Sequence, residues 1–240
     1  MSDTFTFFID DDEVQGRSGQ TILQAALENG IWIPHLCAKE GLSPHGSCRI
    51  CTVRVNGRPQ AACTWPASAN AVVENDTDEI RHLRLSILEM LFVEGNHVCP
   101  ICEKSGNCEL QAMGYRLGLL SPTYPFLFPK KGVDASHPGV FIDRNRCILC
   151  ARCVRGSQEL DGKHVFDFVG RGIHKRVAVD ARERLGDTDL EATDQALDLC
   201  PVGAILRKRV GYKVPIGQRL YDHQPIGSEV QPPAPSGEGA

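Results

Sequence analysis

At 240 residues, with 42% hydrophobic and 23% charged side chains, the chain has the make-up of a soluble globular protein, long enough for one large or two to three small domains. Its formal net charge of -4 excludes the strongly basic balance of a nucleic-acid binder, and no stretch approaches the roughly 18 uninterrupted apolar residues of a membrane span. Size alone demands no covalent staples, yet the chain carries eleven cysteines.

Met1 to Asp12 has no basic segment ahead of its short apolar run, and acid follows where a signal peptide places small residues. This end therefore reads as mature sequence and the protein as cytoplasmic. Thiols are kept reduced there, and closely spaced ones are more often metal ligands or redox groups than disulfides. The odd count agrees, because a disulfide framework would leave one thiol over.

Residues 5–9 are rich in aromatic and β-branched side chains, the acidic run Asp10 to Glu13 makes a turn, and Val14 to Arg17 returns as a second strand. Thr21 to Asn29 sets Ile22, Ala25 and Ala26 on one helical face, and Gly30 occupies the left-handed cap position. From Cys37 to Cys51 there is no periodicity, and Gly41, Pro44 and Gly46 mark a loop wrapped round something. Thr52 to Val55 alternates, Asn56-Gly57 is a strong hairpin signal, Arg58 to Cys63 returns, and Ala71 to Glu74 supplies another strand. These elements predict a compact α+β domain with a mixed sheet over residues 1–78.

Asp78 can cap a helix in which Ile80, Leu83, Ile87, Leu88 and Leu91 keep helical spacing up to Gly95. That helix delivers the chain to His97, and a second begins at Glu109 and stops at Gly114 or Gly118. Residues 79–120 thus form a small helical module with too few apolar residues for a core of its own, which metal binding would stabilise. Pro122, Pro125, Pro129 and Pro138 mark an extended connector at the start of a third region, 121–222. It is predicted to hold a strand at 140–143, a helix from Ala151 to Leu160, two strands within 165–179 and a helix over about 189–199. Residues 223–240 have the composition of a flexible tail.

The cysteines fall into groups of four, three and four. Cys37-x10-Cys48-x2-Cys51 followed by Cys63 follows the plan of a plant-type [2Fe-2S] site, although its first gap is longer than the x4 of that type. Zinc is the alternative for Cys48-x2-Cys51 taken alone. Cys147-x2-Cys150-x2-Cys153 with a remote Cys200-Pro201 is the bacterial ferredoxin arrangement for one [4Fe-4S] cluster. Cys99-x2-Cys102-x5-Cys108 is one ligand short of a second, and His97 stands beside it. His82 competes for that place from the polar side of the preceding helix. His35 and His45 flank the first group, where ring donors would tune its potential rather than bind metal.

No Walker-type loop, Gly-x-Gly-x-x-Gly fingerprint or partnered nucleophile is visible. The chain is therefore expected to bind redox centres and to hold no catalytic residue, no NAD or flavin site and no substrate site of its own. A zinc-stabilised docking protein is the rival of another class.

Together the three groups resemble the amino-terminal iron-sulfur region of the complex I large subunit and the electron-input region of iron-only hydrogenases. The resemblance is closer to the small diaphorase subunit, of HoxU type, of the soluble NAD-reducing nickel-iron hydrogenases. Phe92-Val93-Glu94-Gly95-Asn96-His97, Cys102-Glu103-Lys104-Ser105-Gly106-Asn107-Cys108 with Leu110-Gln111-Ala112, and Lys208-Arg209-Val210-Gly211-Tyr212 with Pro215-Ile216-Gly217 are similar to that family's phrases. The histidine stands two residues before Cys99, as in the diaphorase type, where the complex I relatives place it four before.

The resemblance covers about residues 5–222. It implies a β-grasp [2Fe-2S] ferredoxin domain, a small helical His/Cys [4Fe-4S] module and a [4Fe-4S] ferredoxin-like domain. It further implies a hetero-oligomer with a flavin- and NAD-binding diaphorase subunit and the small subunit of a [NiFe] hydrogenase. The expected function is an electron relay between the two, in an oxidoreductase converting H2 and NAD+ to NADH and a proton. An input subunit of a complex I, formate dehydrogenase or iron-only hydrogenase assembly is the alternative within the redox class.

Overall fold

The computed structural model describes residues 4–127, 130–180, 184–212, 214, 215, 217–219 and 222; the expected tail at 223–240 lies outside the described residues. Strands β1 (Thr4–Ile9) and β2 (Asp12–Arg17) pair antiparallel across Asp10 and Asp11, both with left-handed φ of 48° and 73°. The turn is shorter than the acidic run suggested. A two-residue loop with both φ positive matches the twist of the strands, so Asp12 and Glu13 are free to pair with Ile9 and Phe8.

Helix α1 (Ile22–Glu28) opens with a capping box. Thr21 accepts from the Gln24 amide at 3.2 Å, and the Gln24 side chain accepts from the Thr21 amide at 2.9 Å. It lays Ile22, Leu23, Ala25 and Ala26 into the core with Phe7, Ile9 and Val14 and ends before Gly30, whose φ is +75°. Strands β3 (Thr52–Val55) and β4 (Arg58–Ala61) turn on Asn56-Gly57 as read, and β5 (Val72–Glu74) completes the sheet in the order β2-β1-β5-β3-β4. Only the β1–β5 pair is parallel. This is the β-grasp arrangement, a mixed sheet holding one helix.

Helix α2 (Asp78–Val93) is capped by Thr77, one residue earlier than expected, whose hydroxyl accepts from the Ile80 amide at 3.2 Å. Asp78 sits inside the first turn with Glu79, where carboxylates favour the positive end of the helix dipole. The helix docks on the first sheet through Arg84, which is 4% exposed. Its guanidinium donates to the Thr52 carbonyl at 3.1 Å and to the Asn75 carbonyl and side-chain oxygen at 2.9 and 2.7 Å. Burial pushes the Arg84 pKa down to about 10. Helix α3 (Glu109–Arg116) passes through Gly114, which packs against the Phe92 ring, and is stopped before Gly118 with φ +76°.

The third region holds β6 (Val133–Asp134), β7 (Val140–Asp143), α4 (Arg152–Glu159), β8 (Phe166–Val169), β9 (Arg176–Val179) and β10 (Ile205–Arg207). Strands β10-β7-β6 form one antiparallel sheet, and β8 and β9 form a hairpin. The helix expected over 189–199 is not formed: Gln195–Leu197 is a single 3-10 turn. Carboxylates take the amides that a helix would use. Asp161 accepts from the amides of Gln195 and Ala196 at 2.9 and 3.0 Å, and Asp194 accepts from the Glu191 amide at 3.0 Å and Lys163 at 2.8 Å.

Among the described residues no helix is long and apolar enough to cross a membrane. Replacing Arg84 with Met leaves two buried carbonyls and the Asn75 side chain without a donor. The expected loss is about 2–3 kcal/mol of stability, read as a lower thermal midpoint, whereas an unchanged midpoint would show that α2 docks without it.

Candidate metal centres

The first group sits where the loop after α1 meets the ends of β3 and β4. Cys37, Cys48, Cys51 and Cys63 are all buried, at 5% exposure or less. Arg49 holds a left-handed φ of 60° between Cys48 and Cys51, and the Cys37 amide donates to the Cys48 sulfur at 3.4 Å. The thiols contact one another: Cys37 meets Cys48 and Cys63, and Cys51 meets Cys63. These contacts hold Cys37 far below an ordinary thiol and drive Cys63 far above it.

The third group encloses a cavity walled by Cys147, Cys150, Cys153, Cys200 and aliphatic side chains including Ile142 and Val202. Leu149 and Ala151 adopt left-handed φ of 54° and 60°, unusual for residues with a Cβ. This turns backbone amides inward, and the Leu149 amide donates to the Cys147 sulfur at 3.4 Å. Burial pushes Cys147 up to about 11 and raises Cys150 and Cys153 as well.

The middle group lines a second cavity, where Cys99, Cys102, Cys108 and His97 face one another beside Phe92 and Arg146. Phe92, from the last turn of α2, meets the His97 ring edge-on at 5.6 Å and 72°. The Nε2 of His97 is buried with no hydrogen-bond partner. Burial, then the nearby Arg146 charge, pushes the imidazole pKa down to about 4, so the ring is neutral and keeps a lone pair. Gly95 makes room for it: a Cβ there would stand 2.5 Å from Nε2. His82, the competitor, is exposed and does not line this cavity. Cys108 caps α3, accepting from the Gln111 amide at 3.5 Å, and burial pushes its thiol up to about 12.

The structure brings the sulfur groups next to one another. The Glu109 amide, beside Cys108, donates to the Pro201 carbonyl, beside Cys200, at 2.9 Å. A Cβ on Gly203 would stand 2.7 Å from the Cys102 sulfur. His35 and His45 stay outside the groups: the His35 Nδ1 lies 2.8 Å from the Ile33 carbonyl, and His45 is exposed.

Sequence reading missed the arginines. Arg146 donates to the Cys102 sulfur at 3.8 Å, to Glu103 at 2.7 Å and to the Gly203 carbonyl at 3.4 Å. Arg155 donates to the Cys37 carbonyl at 2.6 Å and the Cys150 carbonyl at 3.4 Å, and also reaches the Ser43 carbonyl. Arg152 is bound to Glu109 by two 2.7 Å contacts. The only signal was position, since Arg146 directly precedes Cys147 and Arg152 directly precedes Cys153, and arginine is by default a surface residue.

The donor sets suit polynuclear metal groups. Among the described residues no three His, Cys, Asp or Glu side chains close on the single point a lone ion needs. In the second and third groups the donors line the walls of a cavity instead, as cluster ligands do. The Nε2 of His97 is buried among them with no hydrogen-bond partner.

Three family models match consecutive parts of the chain. They are a 2Fe-2S iron-sulfur cluster binding domain over residues 2–78, the NADH-ubiquinone oxidoreductase-G iron-sulfur binding region over 84–122, and the ferredoxin-like domain of NADH-quinone oxidoreductase subunit 3 over 137–206. The gamma subunit of the NAD-reducing hydrogenase HoxS of Cupriavidus necator is 41% identical over 219 residues, covering 91% of this chain and 93% of that subunit. The chain belongs to the family of this hydrogenase gamma subunit. It also matches, at 46% identity and a TM-score of 0.89, a chain in a crystal structure of an NAD+-reducing [NiFe]-hydrogenase in the H2-reduced state, covering 92% of one and 94% of the other. An NADH-quinone oxidoreductase subunit of Rickettsia typhi is 32% identical over 209 residues, or 85% of this chain, but the match spans only 30% of that subunit's length.

Membership with these matched domains makes the chain an iron-sulfur electron-transfer subunit of an oxidoreductase assembly, binding [2Fe-2S] and [4Fe-4S] groups. Replacing Arg146 with Ala removes the donor to Cys102 and the partner of Glu103. Amide hydrogen exchange over residues 102–107 is expected to quicken, and exchange at the parent rate would show that the loop holds itself.

Proposed function

We propose that the chain is a three-cluster electron relay between a [NiFe] hydrogenase small subunit and a flavin- and NAD-binding diaphorase subunit. The [2Fe-2S] group is held by Cys37, Cys48, Cys51 and Cys63 within a domain at 1–78. His97, Cys99, Cys102 and Cys108 hold one [4Fe-4S] group in a module at 79–120, and Cys147, Cys150, Cys153 and Cys200 hold the other at 121–222. Iron-sulfur groups supply one-electron chemistry between a hydrogen-oxidising site and a flavin.

The observation that carries this reading is the adjacency of the three donor groups within one fold, linked through Glu109 to Pro201 and Arg155 to Cys37 and Cys150. The chain's own residues fix the groups close together, exclude water with Ile142, Val202, Phe92 and their neighbours, and aim amides and guanidinium donors at sulfur. N–H to sulfur bonds of this kind raise reduction potential. The assembly is cytoplasmic in this reading.

Purification of the native complex without oxygen tests it. About ten irons and ten sulfides per chain are expected, together with nickel and flavin in copurifying subunits. Zinc without sulfide would make the chain a docking protein, and a molybdenum or quinone-reductase partner would place it in the alternative assemblies.

A second test is His97→Ala. It is expected to alter one [4Fe-4S] signal in electron paramagnetic resonance and to spare the other two. Gly95→Ala, which crowds the same ring, should perturb that same signal, and unchanged spectra in both would assign the fourth donor elsewhere.

A further inference from the structure

Arg152 lies between Cys150 and Cys153 in sequence and is only 1% exposed, the largest of the fully buried side chains among the described residues. It touches the chain neighbour of one cysteine in each group. Its Nη2 donates to the carbonyl of Ala38, next to Cys37, at 3.0 Å. Its Nη1 donates to the carbonyl of Leu199, next to Cys200, at 3.5 Å. Both close on the carboxylate of Glu109, next to Cys108, at 2.7 Å. Its Nε is buried and has no partner.

The two charges of this pair are not equivalent. The guanidinium is enclosed, whereas the Glu109 side chain keeps 35% exposure at the first position of α3. Water screens the carboxylate more than the guanidinium, so the junction of the three groups carries a residual positive field.

We propose that Arg152 is a positioning residue whose enclosed charge sets the reduction potentials of all three metal groups together, with Glu109 as its counterweight. The inference rests on the three-cluster reading above. A fixed positive charge favours the reduced, more negative state of any nearby redox group, and through one shared charge the three potentials move in concert. The same guanidinium holds the Ala38 and Leu199 carbonyls in fixed directions, so the dipoles beside two of the groups are constant as well.

The test is a redox titration of the assembled complex followed by electron paramagnetic resonance, with Arg152→Met, Arg152→Lys and Glu109→Gln. Arg152→Met is expected to lower the midpoint of all three signals. Glu109→Gln, which breaks the same ion pair but leaves the positive charge, is expected to raise them. Arg152→Lys keeps the charge without the two-pronged contact and should stay closer to the parent than Arg152→Met.

A merely structural ion pair would send the Met and Gln variants in the same direction. That result, a shift confined to the third group, or unmoved midpoints would overturn the proposal. If Arg152→Met does not assemble, Glu109→Gln decides: midpoints that fail to rise reject it. Iron and sulfide content of the parent complex separates the two readings, since deficient metal there rejects the three clusters, whereas full metal with unmoved midpoints rejects only the role of Arg152.

Discussion

Enclosing a guanidinium costs several kcal/mol unless its donors are met, and three separate segments meet both terminal nitrogens of Arg152, leaving Nε without a partner. A carbonyl from the loop after α1, a carboxylate from the start of α3 and a carbonyl from the segment before Cys200 converge on it. Each of those segments carries a cysteine at the adjacent position. The contacts that the two terminal nitrogens of Arg152 make therefore tie together segments of all three sulfur groups. Arg155, one turn along α4, repeats the pattern with the carbonyls of Cys37 and Cys150.

The sulfur groups impose the opposite electrostatic demand. Burial raises Cys108 to about 12 and Cys147 to about 11, so without a cation these thiols hold their protons in an apolar wall. Binding of iron to thiolates must release those protons, and the metal bonds formed would supply stability beyond that of the few buried apolar side chains of residues 79–120. His97 differs from the thiols: the same burial keeps its ring neutral, so one of its two ring nitrogens carries no proton.

Close approach is the remaining constraint. Gly95 leaves space for the His97 ring and Gly203 leaves space for the Cys102 sulfur, and both of those groups line the same cavity. Neither glycine has a positive φ, and their role is the absence of a side chain rather than backbone freedom.

The sequence by itself determined what depends on local chemistry. The Asn56-Gly57 turn, the α1 capping box, the strands from β1 to β9 other than the two-residue β6, and the Cys-x2-Cys runs all rest on residues a few positions apart. The expected helix over 189–199 failed because Asp161, more than thirty residues away, captures its amides, and β10 exists only because β7 offers an edge. Tertiary structure alone decided that His97 rather than His82 faces the three thiols, that three cysteine groups are neighbours, and that arginines read as surface residues lie buried between them. Spacing encodes which atoms a short loop can gather, whereas the adjacency of loops a hundred residues apart comes from the packed chain, here through the shared apolar core and the buried guanidiniums of Arg152 and Arg155.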